Sequence, residues 1–222
     1  QRVEHFAGGS LHNGVSGERE RSYDHCYNYF QSVALPTEDN EKSCAVLGFY
    51  LASWGMYRGS TFLFRETNST HFLPVIDYVE EHFDTLSRID VDGYHQPENL
   101  ARIEAAYTHL RQIVLPEGNT AITLVTKILA GVFGCTPAYD TYFRTGIRAV
   151  TCGRGRESFW RMTRGSLELL AAFYAANRSD VDALHDESRS WRFADSDSGP
   201  TGNKLTKAKI LDMYFFDVGY RP

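Results

Sequence analysis

A lysine and an aspartate thirteen residues apart, Lys127 and Asp140, are the side chains of this sequence best suited to chemistry. Lys127 lies in an apolar run that favours a helix, and Asp140 follows a Gly-Cys-Thr-Pro break, in the first turn of the next expected helix. A carboxylate there is favoured by the helix dipole and can stabilise a positive charge that develops on a substrate. A lysine that is buried and partly deprotonated can act as a nucleophile.

Both residues also have a purely structural interpretation. In this interpretation Asp140 does no more than cap its helix, because aspartate accepts hydrogen bonds from the first free backbone amides. The helix that begins near Asn119 has an apolar face, and Lys127 points away from that face, so a solvated lysine is the simple expectation. The sequence leaves both interpretations open, with Asp140 and Lys127 as the candidate catalytic residues.

Aromatic side chains near these residues could form the walls of a substrate site, because a flat ring of a substrate packs against them. Aromatic residues make up 14% of the chain, and some of them flank Asp140 or end the second expected helix. The candidate substrate-binding residues are therefore Trp54, Tyr57, Arg58, Tyr139 and Tyr142. The aromatic residues among them can equally pack in the core.

Arginines are concentrated directly after Asp140, although the chain as a whole is acidic, with a formal net charge of −5. The stretch from Thr141 to Gly165 has six arginines and one acidic residue. Guanidinium groups and free backbone amides suit phosphate, so the stretch indicates a polyanion site. The candidate contacts to a DNA backbone are Arg144, Arg148, Arg154 and Arg156, joined by Lys204 and Lys207 at the start of the last expected helix.

The composition is that of an ordinary globular protein, with 222 residues of which 42% are hydrophobic and 23% charged. The four cysteines lack the spacing of a zinc or iron–sulfur site, so we expect reduced thiols, no metal and no cofactor. The longest apolar run is too short to span a bilayer, and no signal peptide is visible. We therefore expect a cytoplasmic protein with no membrane partner.

Successive helices dominate the pattern, and the alternation typical of strands is nearly absent. Helices are expected over residues 20–34, 37–57, 71–88, 97–114, 119–133, 139–149, 157–177 and 204–217. An N-terminal arm is expected at residues 1–18 and a polar surface loop at 186–203. The sequence thus predicts an all-α fold, a compact multi-helix domain over residues 19–222 that can divide into two subdomains with a cleft between them.

The second expected helix carries small residues at alternating spacings of three and four, namely Ala45, Gly48, Ala52, Gly55 and Gly59. Such a stripe lets another helix or a ligand approach the backbone closely. Close helix packing is the interpretation that we favour.

The stretch "TKILAGVFGCTPAYDTYF" resembles a segment of the helix-hairpin-helix DNA glycosylase superfamily. Pro137, the Asp-Thr pair at Asp140 and Phe143 match its Pro-x-Asp-Thr-His-Val type segment, with Tyr142 in place of the histidine. The Thr-Lys pair that ends at Lys127 is similar to the pair of the bifunctional members. The resemblance, over residues 115–146, implies a glycosylase-like helical fold, a DNA partner and Asp140 as the catalytic carboxylate.

The sequence departs from the family pattern in two places. The nearest match to the hairpin signature is "LPEGNTA" at residues 115–121, with one glycine and an acidic residue. Pro137 stands three residues before Asp140, where the family has two.

The leading hypothesis is a monofunctional, monomeric DNA glycosylase that flips out a base and cleaves its N-glycosidic bond with the help of Asp140. The divergent hairpin suggests an unusual or bulky modified base, such as those of phage DNA, and hence a role in antiviral defence. One alternative is a non-enzymatic helical nucleic-acid-binding or regulatory protein, in which Asp140 only caps its helix. Another is a helical interaction module whose small-residue stripe binds a partner helix.

Overall fold

Helices form most of the computed structural model, which describes residues 21–119, 122–151, 159–193 and 199–220. Within these ranges the helices are α1 Arg21–Ser32, α2 Asn40–Ser53, α3 Phe62–Glu66, α4 Leu73–Leu86, α5 Pro97–Val114, α6 Ile122–Ile128, α7 Thr141–Val150, α8 Arg164–Ala176, α9 Arg178–Glu187 and α10 Lys207–Tyr220. Short 3-10 turns at Pro36–Asp39, Ser69–Phe72 and Val91–Gly93 lead between helices. The all-α prediction is confirmed.

The helices begin where side chains supply caps. The Asp39 side chain accepts a hydrogen bond from the Lys42 amide at the start of α2. Thr163 and Ser166 form a reciprocal capping box at the start of α8, and Pro97 opens α5. Each device satisfies or removes an amide that has no partner within the helix, and two of these signals, the polar cap before α2 and Pro97 of α5, were read from the sequence.

Several predicted boundaries were wrong. The helix predicted over 37–57 ends at Ser53, because Gly55 has a φ of 76° and turns the chain. The helix predicted over 157–177 begins only at Arg164. The helix predicted over 204–217 begins at Lys207, after a strand.

The predicted surface loop at 186–203 contains a small antiparallel hairpin, formed by β1 Arg189–Trp191 and β2 Pro200–Lys204. Asn28 of α1 fixes it, because the amide of Asn28 donates to the Trp191 carbonyl at 2.8 Å and its oxygen accepts from Ser190 at 2.5 Å. The hairpin was missed because its strands are short and polar, without apolar alternation.

One continuous cluster of buried apolar residues runs from Tyr23 of α1 to Phe215 of α10. The closest helix contact joins α7 and α10, where Gly146 lies against the Phe215 carbonyl and Gly219 against the Tyr142 carbonyl. A side chain at either glycine would overlap that backbone, so glycine is required for this crossing.

Between α6 and α7 the helix changes from α to π geometry, and the chain then reverses its direction. The helix continues from Ile128 into a single π turn, Leu129–Phe133, and ends at Gly134, which has a φ of 69°. Residues 135–139 are then buried and belong to no helix or strand, and α7 begins after Asp140. This reversal brings Tyr139 and Asp140 back beside Thr126 and Lys127 of α6.

The predicted N-terminal arm at 1–18 lies outside the described residues. Cys26, Cys44 and Cys135 are buried free thiols. Across the described ranges, no helix is long and apolar enough to cross a bilayer. In the same ranges, no three His, Cys, Asp or Glu side chains are grouped in a way that would hold a metal ion.

Candidate active site

The structure brings Lys127 and Asp140 together. The Lys127 Nζ lies 3.3 Å from Asp140 Oδ2, and the two side chains are 4% and 16% exposed. The other oxygen of Asp140, Oδ1, accepts a hydrogen bond from the Phe143 amide at 2.9 Å and caps α7. Asp140 therefore both caps its helix and pairs with Lys127. Lys127 is buried, so the expectation of a solvated lysine was wrong.

The buried segment that precedes Asp140 is held by side chains from four parts of the chain. Its backbone groups bond as follows: Gly134 O to Thr206 Oγ1 at 2.8 Å, Cys135 O to Tyr94 OH at 2.5 Å, Ala138 N to Asp212 Oδ1 at 2.9 Å, and Tyr139 N to Thr126 Oγ1 at 2.9 Å. These bonds satisfy backbone groups that belong to no helix and hold the segment in place. They fix where Asp140 stands relative to Lys127.

A second ion pair lies beside the first. On α10, Lys209 Nζ and Asp212 Oδ2 are 2.7 Å apart, and their side chains are 10% and 12% exposed. Asp212 uses its other oxygen to hold the Ala138 amide, two residues before Asp140. The site thus contains two lysines and two aspartates in largely buried surroundings, where each charge needs a partner.

Trp54 covers this charged cluster. The indole ring lies 4.8 Å from Lys127 Nζ and 5.5 Å from Lys209 Nζ, so one ring faces both ammonium groups. Tyr23 lies under Lys209 at 4.3 Å, and Tyr50 donates its hydroxyl to the Lys127 carbonyl at 3.2 Å. The role of Trp54 as one wall of a substrate site stays a prediction.

The electrostatic surroundings change the acidity of Lys127. Burial lowers the pKa of Lys127 below its ordinary value, and the nearby positive charge of Lys209 acts in the same direction. The carboxylates of Asp140 and Asp212 oppose this shift, but burial is the largest effect. A lysine of lowered pKa has a larger neutral fraction at neutral pH, and the neutral amine is the form that can act as a nucleophile.

The other predicted aromatic contacts are spread over different surroundings. Tyr139 is fully buried and stacks on Phe143 with centroids 5.3 Å apart, so its predicted role as a base-contacting wall does not fit. It was misread because it is adjacent to Asp140 in sequence, whereas the turn into α7 directs it to the core. Tyr142, in contrast, is 42% exposed.

Tyr57 and Arg58 follow the end of α2. Tyr57 lines a groove of about 290 Å³ with Gly48, Ala52 and Phe72, rather than the space around Lys127. Arg58 is exposed, and its guanidinium lies over Gly55. The small-residue stripe is therefore divided: its first half lines the groove, while Gly55 and Gly59 lie beyond the helix.

The predicted phosphate contacts are also divided. Arg144 and Arg148 lie on α7, where Arg148 is exposed and the Arg144 guanidinium is 4.4 Å from the centroid of the Trp160 ring. Arg154 and Arg156 lie outside the described residues.

The two lysines assigned to DNA are paired with carboxylates instead. Lys207 contacts Asp92 at 2.6 Å and Asp182 at 3.0 Å, and Lys204 contacts Asp186 at 2.6 Å. Lys207 thereby joins α10 to α9 and to the turn before α5. The sequence did not show which carboxylates the fold would bring to these lysines, and their assignment to a phosphate backbone stays a prediction.

Sequence reasoning missed the second ion pair and part of the aromatic surroundings. Lys209 and Asp212 stand three residues apart within the run Ala-Lys-Ile-Leu-Asp-Met-Tyr-Phe, and charges inside such an apolar run were an available signal. Phe216 lies between Trp54 and Tyr142, with ring centroids 6.0 Å and 5.1 Å away, and no local pattern marked it.

Comparisons with protein-family models, with curated proteins and with solved structures found no match to this chain.

Proposed function

We propose that this protein is a DNA N-glycosylase in which Asp140 and Lys127 form the reactive pair. The observation that carries the proposal is the buried contact between the two side chains, 3.3 Å apart, at the N-terminus of α7. Burial lowers the pKa of Lys127, as a nucleophilic amine requires, and a neighbouring carboxylate can receive a proton from it. The resemblance around residues 115–146 supports the same chemistry.

The simplest reaction uses Asp140 to stabilise the sugar cation. As the C1′–N bond breaks, the bonding electron pair leaves with the base, and the carboxylate faces the positive charge that develops on the sugar. Water then adds to C1′ and gives up a proton to Asp140. If Lys127 reacts instead of water, its neutral amine forms the new bond to C1′, and a proton passes from the nitrogen to Asp140. The C1′–O4′ bond then breaks as O4′ takes up that proton, and the C1′=N iminium that remains is the species that borohydride reduces.

Access to the pair is controlled by Trp54. Lys127 is almost fully covered and the indole ring lies 4.8 Å from its Nζ, so in this proposal a sugar reaches Nζ by displacing that ring. A base extruded from DNA is itself a flat ring and can take the place of the indole against the cation. In this proposal, Trp54 occupies the closed site and is displaced by substrate.

The test is the Asp140→Asn variant with a panel of DNA duplexes that carry diverse modified bases. Asparagine keeps the cap of α7, because its amide oxygen can still accept from the Phe143 amide, but it removes the negative charge. We expect DNA binding to stay near that of the native protein and base release to fall at least about 100-fold. Alkaline cleavage at abasic sites measures the release, and circular dichroism checks the fold.

Lys127→Gln separates the two reaction routes. If borohydride no longer traps the Lys127→Gln variant on DNA while part of its base release remains, Lys127 is the nucleophile of the native protein. Base release that is unchanged in Asp140→Asn contradicts the proposal.

One observation favours a second function. Both oxygens of Asp140 already have partners within the protein, which is also what a purely structural carboxylate would show. In that case the chain is a non-enzymatic nucleic-acid-binding protein. Binding that weakens steeply with salt, together with no abasic product from any duplex of the panel, would identify it.

A further inference from the structure

An aromatic ladder leads from the charged cluster to the surface. It starts at Trp54 and passes to Phe216, whose ring centroid lies 5.1 Å from that of Tyr142. Tyr220 completes it, 5.1 Å from Tyr142 and stacked on Phe216 at 5.8 Å. The last two members, Tyr142 and Tyr220, are 42% and 61% exposed, so the ladder ends in open rings.

A row of arginines runs along the same helix. Arg144 and Arg148 are one turn apart on α7, and the buried face of that helix is marked by Phe143 and Ile147. Tyr142 lies toward α10 at one edge of the exposed face, and Arg144 lies at the other edge. The exposed face of α7 thus has an aromatic edge and a cationic edge.

The cationic edge is held in place by another ring. The Arg144 guanidinium lies over Trp160, which is 59% exposed, at 4.4 Å from the ring centroid. Stacking uses the flat face of a guanidinium and keeps the N–H groups at its rim directed outward, where they can donate to phosphate oxygens; in Arg144, Nη2 also donates to Thr141 Oγ1 at 3.4 Å. Arg144 is therefore positioned for an anion before that anion arrives.

We propose that α7 and the end of α10 form a binding surface for single-stranded nucleic acid. Bases stack on Tyr142 and Tyr220 at the aromatic edge, and the phosphates of the nucleotides that follow across the face of α7 contact Arg144 and Arg148 at the cationic edge. A base in an intact duplex has both faces covered by its neighbours, so open rings on a protein serve unpaired bases. The combination of exposed aromatic rings with adjacent arginines is what a strand of alternating bases and phosphates requires.

This inference goes beyond the proposed function, because binding on this surface requires neither Asp140 nor Lys127. In a glycosylase the same surface would hold the unpaired strand next to the extruded base. In a protein without catalysis it would be the main site. The binding experiment therefore gives a result whether or not base release is found.

Fluorescence anisotropy of labelled twelve-nucleotide probes is the direct measurement. The probes are a deoxythymidine strand, its uridine RNA counterpart, a duplex of the same length and a strand of abasic sugar-phosphates. We expect the deoxythymidine strand to bind more tightly than the duplex and the abasic strand. Comparison with the RNA strand shows whether the sugar is read, since stacking alone uses only the base faces.

Alanine variants test the rings. Tyr142→Ala and Tyr220→Ala should each weaken binding of the deoxythymidine strand by about 5- to 100-fold, the range for removal of one base stack. Tyr142→Phe and Tyr220→Phe should keep it, because phenylalanine retains the flat face. Phe49→Ala and Phe64→Ala are matched controls, since those rings are 66% and 62% exposed on other helices and should have no effect.

The variants Arg144→Gln and Arg148→Gln test whether these side chains bind phosphate. The slope of log affinity against log salt should become shallower by about 0.7 for each arginine that no longer neutralises a phosphate. The proposal is overturned if the abasic strand binds as tightly as the deoxythymidine strand, or if the control variants weaken binding as much as the tyrosine variants do. Retained binding in Asp140→Asn, together with abolished base release, would separate this surface from the reactive pair.

Discussion

Two lysines and two aspartates share the space around Trp54, and their charges balance. Buried charges of opposite sign stabilise each other, but when one partner is removed, the other stays buried with nothing to offset its cost of desolvation. Lys127 is the most covered of the four, at 4% exposure. Its proton affinity therefore depends on the three charges around it as well as on burial.

Lys209→Met should raise the pKa of Lys127. The substitution removes a positive charge that repels the proton and leaves Asp212 unneutralised, and both changes favour the protonated amine. The shift can be followed through the pH dependence of the 13C chemical shift at the ε carbon of Lys127. Lys209→Arg keeps the charge and should leave that pKa unchanged, as should Lys204→Met on the surface. A fall in the pKa of Lys127 in Lys209→Met would contradict this electrostatic account.

At the residue scale, Lys127 and Asp140 could be singled out from the sequence, but the side chains that surround them could not be predicted. Both stand in one short segment, and their types and spacing were visible. Asp212, Tyr94 and Thr206 reach the same segment from distant parts of the chain, and no local pattern encodes such contacts. Tyr139 shows the same limit, because one turn of backbone decides whether its ring meets solvent or core.

At the scale of elements, the crossing of α7 and α10 is the contact that sets the site. It places Lys209 and Asp212 of α10 beside the segment that leads into α7. The close approach depends on Gly146 and Gly219, which leave no room for a side chain. Helix starts were predicted from caps and prolines, whereas this crossing was not, because a glycine inside a helix does not reveal its partner.

Gly146→Ala should destabilise the fold by about 3 kcal/mol or more, because its methyl group would overlap the Phe215 carbonyl and force the two helices apart. Urea denaturation measures the free energy of unfolding. The matched control is Gly165→Ala in α8, where the nearest atom to the new methyl group is 3.9 Å away. The control should be neutral or slightly stabilising, since alanine is the better helix former. Equal effects of the two substitutions would show that the crossing is looser than described.

At the scale of the whole molecule, α1 is tied to the hairpin through buried charge. Arg21 and Asp24 form an ion pair at 3.3 Å, and the Arg21 guanidinium lies 4.0 Å from the centroid of the Trp191 ring. Burial raises the pKa of Asp24 to about 6, against an ordinary value of 3.8, and Arg21 only partly offsets this. Between about pH 4 and pH 6 the folded protein therefore holds a proton on Asp24 that the unfolded chain has already released.

Stability should fall as the pH rises from about 4 to about 6. Between the two pKa values the native state binds more protons than the unfolded state, so the free energy of unfolding decreases with pH and then levels off above about 6. From pH 4.5 to pH 7 the contribution of Asp24 is about 2 kcal/mol. Urea denaturation of the native protein and of Asp24→Asn at both pH values isolates this contribution. The prediction is wrong if the difference between the two proteins does not change with pH.

The π turn at Leu129–Phe133 has a consequence for recognising relatives of this chain. A π turn holds one residue more than an α-helical turn, and each helical residue rotates the chain by roughly 100°. Deleting that surplus residue would turn the lysine away from the carboxylate. We therefore expect homologues of this chain to keep the number of residues between Lys127 and Asp140 even where the residues in between differ. A search for distant homologues should compare the length of this interval before it compares the sequence within it.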